Sequence, residues 1–268
     1  MYIPALACSE KKDAMRKMLL ITALALLTAI IAALPIAASP DNLGKIVFHG
    51  SAPLGSSDIF VMDGDGGNRT QLTFNGDSFT PDWSPSGMEI AFTRFGRGEG
   101  REIFVMDADG SNPTQLTFNT AFDSAPAWSP DGRRIAFHSD RDGDREIFVM
   151  GADGSNPTQL TFSPGRDQQA AWSPDGLKIA FVSARDGDRD GEIFVMDADG
   201  SNPTQLTFNP GFDVQPVWSR NGMKIAFMST RDGDEEIWVM DANGANQTQL
   251  TFTEGGVARN PDWHPGRQ

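Results

Sequence analysis

The sequence predicts an all-β fold, a five-bladed β-propeller of four-stranded antiparallel blades closed by pairing of the N- and C-terminal strands. Two observations carry this expectation. Tryptophans at 83, 128, 172, 218 and 263 are spaced 45, 44, 46 and 45 residues apart in nearly identical surroundings, which is a five-fold internal repeat. Each unit also holds four short apolar runs of the form IAF, EIFVM, TQLTF and PxW, separated by the turn-forming clusters RDGD, DADGSNP, NPGFD and SPDG. Short runs rich in Ile, Val, Phe and Thr, punctuated by Asp-Gly and Asn-Pro, are antiparallel strands joined by hairpins. No stretch after residue 40 has helical periodicity.

The individual strands follow in order. The EIFVM run is apolar without alternation at 59–62, 103–106, 147–150, 193–196 and 237–240, so both of its faces need cover. A blade packed between two neighbours supplies that cover, whereas a β-helix would show shorter coils and regular stacking ladders. The IAF and TQLTF runs and the tryptophan strand add recurrent aromatics: Phe48, Phe92, Phe137, Phe181 and Phe227; Phe60, Phe104, Phe148, Phe194 and Trp238; Phe74, Phe118, Phe162, Phe208 and Phe252; and the five tryptophans. Because they recur in every unit, all are expected in the core between blades. Phe79, Phe95, Phe122 and Phe212 fall outside these slots and, if any aromatic meets a ligand, are the better candidates. The phase of the repeat bears on closure. The first unit begins at Lys45-Ile46-Val47-Phe48 without a preceding tryptophan strand, and the last residues, Pro261-Asp262-Trp263-His264-Pro265-Gly266, are that strand. The two ends are expected to share the first blade, which would remove an exposed sheet edge; the alternative is an incomplete six-bladed ring.

Residues 1–39 read as a signal peptide or N-terminal anchor, and 40–268 as the propeller. Met18 to Leu34 is uncharged, is preceded by Arg16 and Lys17, and is followed by Pro35 and the small residues Ala37, Ala38 and Ser39, the order of a secretory leader. Met15 lies directly before those charges and is the better start. An uncleaved anchor is the competing reading, because the apolar run approaches the roughly 20 residues that cross a bilayer. The expected compartment is periplasmic or extracellular, with membrane contact only through this segment if it is retained.

Charge and chemistry narrow the function. The first 38 residues hold four Lys/Arg and two Asp/Glu, leaving 18 against 34, a net −16, on the remainder. Such a surface repels phosphate backbones, so nucleic acid is excluded as a partner. The only cysteine, Cys8, precedes the folded part, and His49, His138 and His264 are scattered singly, which argues against thiol and zinc chemistry. No nucleophile elbow, phosphate loop or dinucleotide fingerprint is present. No cofactor is expected. The pairs Asp63/Asp65, Asp107/Asp109 and Asp197/Asp199 have carboxylates one residue apart and could share calcium, but Asp-Gly in a hairpin is more simply a turn whose carboxylate accepts backbone N–H bonds.

The RDGD loops join the second strand of the unit to the third, and they emerge on the same face as the loops carrying Asp123, Asp167 and Asp213. Arg141, Arg185 and Arg231 therefore lie near those aspartates. Two readings are open: ion pairing between blades, or a charged rim at the channel mouth that binds a protein segment or polar ligand. The second unit breaks the series, with Phe95, Arg97 and Arg101 in the segment that replaces RDGD. Loops released from the repeat are where recognition resides, so Phe95, Arg97, Arg101 and the three Arg–Asp sets form the candidate partner-binding set.

The unit [IV]AF-x-S-x-RDGD-x-EIFVMDADGSNPTQLTFN…D-x-x-P-x-WSPDG resembles the WD40-like repeats of the TolB type over roughly residues 45–266, and is also similar to propellers of prolyl-oligopeptidase relatives. The resemblance implies six blades, an N-terminal α/β domain and a periplasmic role in the Tol-Pal system; this sequence shows five units, and the hydrolase domain of prolyl-oligopeptidase relatives is not expected. The expected function is a non-enzymatic, monomeric scaffold binding a protein or cell-envelope polymer through one loop face. The alternative is a lyase or hydrolase acting on a polysaccharide or peptide at the channel mouth.

Overall fold

The computed structural model describes residues 44–51, 57–96, 100–185, 187, 190–253 and 255–263. The expected leader, residues 1–39, lies outside them. From Lys45 onward the chain forms one compact unit, a five-bladed β-propeller. Blade 1 contains β1 (Lys45–Ser51), β2 (Ser57–Asp63) and β3 (Thr70–Gln71); blade 2 contains β4 (Ser78–Trp83), β5 (Glu89–Phe95), β6 (Arg101–Asp107) and β7 (Thr114–Gln115). Blade 3 is β8 (Ser124–Trp128), β9 (Arg134–Ser139), β10 (Glu146–Gly151) and β11 (Thr158–Gln159), and blade 4 is β12 (Asp167–Trp172), β13 (Lys178–Ser183), β14 (Glu192–Asp197) and β15 (Thr204–Gln205). Blade 5 is β16 (Asp213–Trp218), β17 (Lys224–Ser229), β18 (Glu236–Asp241) and β19 (Thr248–Gln249). Within each blade the strands pair antiparallel in sequence order.

The core lies between blades. Ile59, Val61 and Leu72 of blade 1 pack on Ile90, Phe92, Phe104 and Met106 of blade 2, and homologous clusters fill the next three junctions. Phe92, Phe137, Phe181 and Phe227 are wholly buried; each is worth about 3 kcal/mol in area removed from water.

One aromatic set departs from expectation. Phe74, Phe118, Phe162, Phe208 and Phe252 are 73–80% exposed on the outer perimeter rather than in the core. The preceding threonine explains this. Thr73 and Thr117, like Thr161 and Thr207, are buried, and each hydroxyl accepts the N–H of Ile59, Ile103, Ile147 or Ile193. Three of them also donate to the acid beside that isoleucine, Asp58, Glu102 or Glu146. Anchoring the threonine inward sends the next side chain outward.

Each inner strand carries a β-bulge at one register position, with Thr80, Ala125, Gln169 and Gln215 at φ between 44° and 59°. A left-handed conformation in non-glycine residues costs about 1 kcal/mol or more, and it recurs because the bulge re-aims the strand at the channel. The freed amides are satisfied across blades: the Gln215 N–H donates to Gln169 Oε1 at 3.0 Å and the Asn260 N–H to Gln215 Oε1 at 2.7 Å. Asn260, at φ 53°, shows that the terminal segment has the inner-strand conformation. Trp263 Nε1 donates to the Val217 carbonyl at 3.2 Å, as Trp218 does to Ala171 and Trp172 to Ala127.

The segment thus sits against blade 5, but the expected ladder between the chain ends is not formed among the described residues. β1 pairs only with β2, and blade 1 has three strands. Ile46 is 42% exposed, whereas its counterparts Ile90, Ile135, Ile179 and Ile225 are fully buried. In blades 2 to 5 a hairpin tethers the tryptophan strand to the next strand, as where the Ser84 N–H bonds the Glu89 carbonyl. No such covalent hairpin joins Trp263 to Ile46.

Candidate functional site

The loop face is built around one recurrent acid per blade. Asp58, Glu102, Glu146, Glu192 and Glu236 open the third-strand position of their units, and all are buried. In blade 2, Glu102 accepts from Thr117 Oγ1 at 2.6 Å and from the Asn119 N–H at 3.0 Å, fixing the loop that leads to blade 3. Asn119 Nδ2 then donates to Asp123 Oδ2 at 2.7 Å. Burial raises the carboxyl of Glu102, and it pushes Glu146, which also faces Asp167, up to about 7.

The recurrent arginines complete this network. Arg141–Asp123, Arg185–Asp167 and Arg231–Asp213 are ion pairs of 3.0, 2.7 and 2.7 Å, in which the aspartates are fully buried and the arginine side chains only 24, 20 and 10% exposed. Each pair joins two segments of the same blade, not neighbouring blades. Each guanidinium also lies over the blade's two central rings, as with Arg185 at 5.3 Å from Phe181 and 4.7 Å from Phe194. The expected rim is therefore corrected for these six residues. Asp123, Asp167 and Asp213 offer no surface to a partner, and the arginines are spent on the aspartates and rings.

Two further arginines do the same packing and went unrecognised in the sequence. Arg94 sits 4.3 Å from the Phe104 ring, and Arg69 sits 4.3 Å from Phe60 and 5.2 Å from Phe48. A signal was available for Arg94, which pairs in register with Glu102 as Ser139 does with Glu146. Arg69 reaches its rings from the opposite end of the unit, and nothing in the spacing marks it.

Blade 2 differs from the others. Ser78 stands where blades 3 to 5 have aspartate, so Arg94 has no such partner, and a cavity of about 630 Å³ opens beside it, lined by Arg94, Glu102, Phe104, Gln115, Phe118 and Asn119. On the channel side the loop residues converge: the Arg101 guanidinium is 5.2 Å from Phe79, 5.3 Å from Phe95 and 5.9 Å from Phe122. Three of the four aromatics that stood outside the repeat therefore surround one arginine; Phe212, half exposed, stands at another junction. Arg97 lies outside the described residues. Beside this group is His138, held neutral because burial, Arg145 and Arg101 push it down to about 3.

The opposite face is made of turns. Asp107 accepts from Asn112 Nδ2 at 2.7 Å, Asp109 from the Ser111 N–H at 2.9 Å, and Asp197 pairs with Lys178 at 2.9 Å. Asp65 and Asp199 likewise accept from Gly67 and Ser201. These carboxylates serve as turn acceptors, and no group of three His, Cys, Asp or Glu side chains converges among the described residues.

The profile of the TolB beta propeller domain matches residues 54–189 and 163–268. The chain belongs to this family. Its fold is similar to TolB from Acinetobacter baumannii, at 25% identity and a TM-score of 0.70, over 79% of this chain and 53% of that one, so it spans about half the length of that TolB. It is similar also to a putative TolB from Agrobacterium tumefaciens, at 25% identity and a TM-score of 0.67, over 82% of this chain and 86% of that one. A puromycin-hydrolysing peptidase of Mycobacterium tuberculosis shares the fold alone, at 17% identity and a TM-score of 0.58, over 76% of this chain and 37% of that one. No curated protein matches the sequence.

Proposed function

We propose that this TolB-family propeller is an exported, monomeric, non-enzymatic binding module of the cell envelope that engages a protein partner through the loop face of blade 2. One observation carries the reading. The ring–arginine stack that an ion pair closes in blades 3, 4 and 5 lacks its aspartate in blade 2, where Arg94 over Phe104 faces Ser78, and on the channel side of the same blade Phe79, Phe95 and Phe122 gather around Arg101. A partly exposed aromatic and arginine cluster is the composition of an interaction hot spot. The carboxylates whose proton affinity is raised, Asp82, Glu102, Glu146 and Asp213, are hydrogen-bonded within the fold, which supports binding over acid–base catalysis. Export rests on the leader-like Met18–Leu34 segment and on membership of the TolB family.

The test is photo-crosslinking of the exported protein in envelope preparations. Phe95→Ala is expected to reduce the crosslinked partner at least tenfold, while Leu177→Ser, an exposed apolar residue on the opposite face, leaves it unchanged. Equal capture by both variants would reject the assignment to blade 2. N-terminal sequencing of the exported form is expected to begin between Ala38 and Asp41, and retention of Met18–Leu34 would show an anchor instead.

A further inference from the structure

We propose that the channel-side junction of blades 2 to 4 binds a carboxylate presented by an extended acidic segment of the partner, held by Arg101 and Arg145 against the rings of Phe79, Phe95 and Phe122. This rests on the reading of the blade 2 loop face as the binding surface and names the chemistry it recognises.

The argument begins with one position of the repeat, the residue before the buried acid, occupied by Ser57, Arg101, Arg145, Gly191 and Glu235. Its backbone has the same task at four junctions: the carbonyls of Arg101, Arg145, Gly191 and Glu235 accept N–H bonds of 2.7–2.8 Å from Asp123, Asp167, Asp213 and Ala258. The side chain has no common task, since glycine suffices in blade 4. Two adjacent arginines at this position are thus not demanded by the fold, and they occur in a chain of net charge −14.

The environment of these arginines points to an anion. Arg101 has no carboxylate partner among the described residues, and its Nε is buried without a hydrogen-bond partner. An unsatisfied buried donor costs about 1–3 kcal/mol, which a bound acceptor would recover. Ring faces around a guanidinium hold it while leaving its edge free for a bidentate acceptor. His138, 8% exposed on the adjoining strand, has an Nδ1 without a partner. Arg145 donates to Gln168 Oε1 at 2.8 Å and is pressed by Arg166 and Arg101, with Asp140 the opposing carboxylate. Asp140 Oδ1 in turn accepts the Phe122 N–H at 2.8 Å. Around Arg145 two arginines, Arg101 and Arg166, thus stand against Asp140. A singly charged carboxylate suits this cluster better than phosphate, because the chain as a whole is strongly negative and the groups around Arg101 are aromatic.

The experiment is a titration of the ¹⁵N-labelled protein at constant ionic strength, reading the Nε–Hε signals of Arg101 and Arg145 and the His138 ring. The probes are the blocked tripeptides Ac-Gly-Glu-Gly-NH₂ and Ac-Gly-Gln-Gly-NH₂, the free acid Ac-Gly-Gly-Gly, and inorganic phosphate. Saturable shifts with the glutamate peptide, at least tenfold weaker with glutamine and in Arg101→Lys, are expected; Arg101→Lys keeps the charge and removes only the bidentate fork. Comparable binding of the free acid would identify a chain terminus as the carboxylate source. The proposal is overturned by an absence of saturable shifts, by equal binding of the glutamine peptide, by tighter binding of phosphate, or by an unchanged Arg101→Lys. Should the peptides fail while Phe95→Ala still loses the crosslinked partner, the carboxylate site falls and the binding face stands.

Discussion

Blades 3 and 2 lay an arginine over the same kind of ring, Arg141 at 4.5 Å from Phe148 and Arg94 at 4.3 Å from Phe104, yet the surroundings of the two charges differ. Arg141 meets buried Asp123, and its loop is locked; Arg94 faces Ser78 and a cavity. In a repeat protein the same packing problem recurs in every unit, so a unit that solves it differently shows which parts of the solution the fold requires. The ring–arginine stack is required, and the ion pair is dispensable. What blade 2 gains by omitting the pair is accessible surface.

The largest expected effect breaks this comparison at its closed end. Asp213→Ala strands Arg231, the least exposed of the three paired arginines, and should lower stability by about 3 kcal/mol in urea unfolding. Ser78→Ala at the equivalent place removes one buried hydroxyl bond to Asn75, 3.0 Å long, and should cost about 1 kcal/mol. Equal losses would mean that the fold depends on the blade 2 position no less than on its counterparts.

The next effect concerns pH. Asp82 accepts the Trp128 N–H at 2.7 Å and so links blade 2 to blade 3; burial, with Asp262 nearby, pushes its carboxyl up to about 7. The folded state therefore holds this proton more tightly than the unfolded chain, whose aspartate titrates near 4. The penalty for ionising it is absent below about pH 4, accumulates as pH rises, and is complete above about pH 7. Glu146 in blade 3, also pushed up to about 7, acts in the same direction. Stability should fall by on the order of 2 kcal/mol between pH 5 and pH 8. Asp82→Asn should flatten part of that slope, and an unaltered slope would place the titration elsewhere.

Much of this was legible in the sequence, because tryptophan spacing, strand composition and Asp-Gly turns are local signals that recur five times. The site was legible only as an exception. Phe79, Phe95 and Phe122 stood outside the repeat, and the structure brings them to Arg101. Burial was the harder quantity. Nothing in the spacing of Asp123 from Arg141 says that the aspartate is sealed inside its blade, because that depends on a loop tied down by Glu102 and Asn119. The outward phenylalanines were misplaced for a related reason: recurrence marks a position as required, and it does not say whether the side chain or the backbone is what the fold requires.

The smallest expected effect follows from that distinction. Phe162 and Phe208 are about three-quarters exposed, so replacing either with serine gives up little burial and should change stability by less than about 0.5 kcal/mol. Phe181→Ala, at a wholly buried position of blade 4, should cost about 3–5 kcal/mol in the same assay. Phe118 sharpens the comparison between blades. It is as exposed as Phe162, but it lines the cavity beside Arg94. Phe118→Ser should therefore leave stability as unaffected as Phe162→Ser does, while reducing partner crosslinking in a way that Phe162→Ser does not. Identical crosslinking by the two variants would confine recognition to the channel side of blade 2, where Arg101 stands, and would leave the outer cavity as a by-product of the missing ion pair.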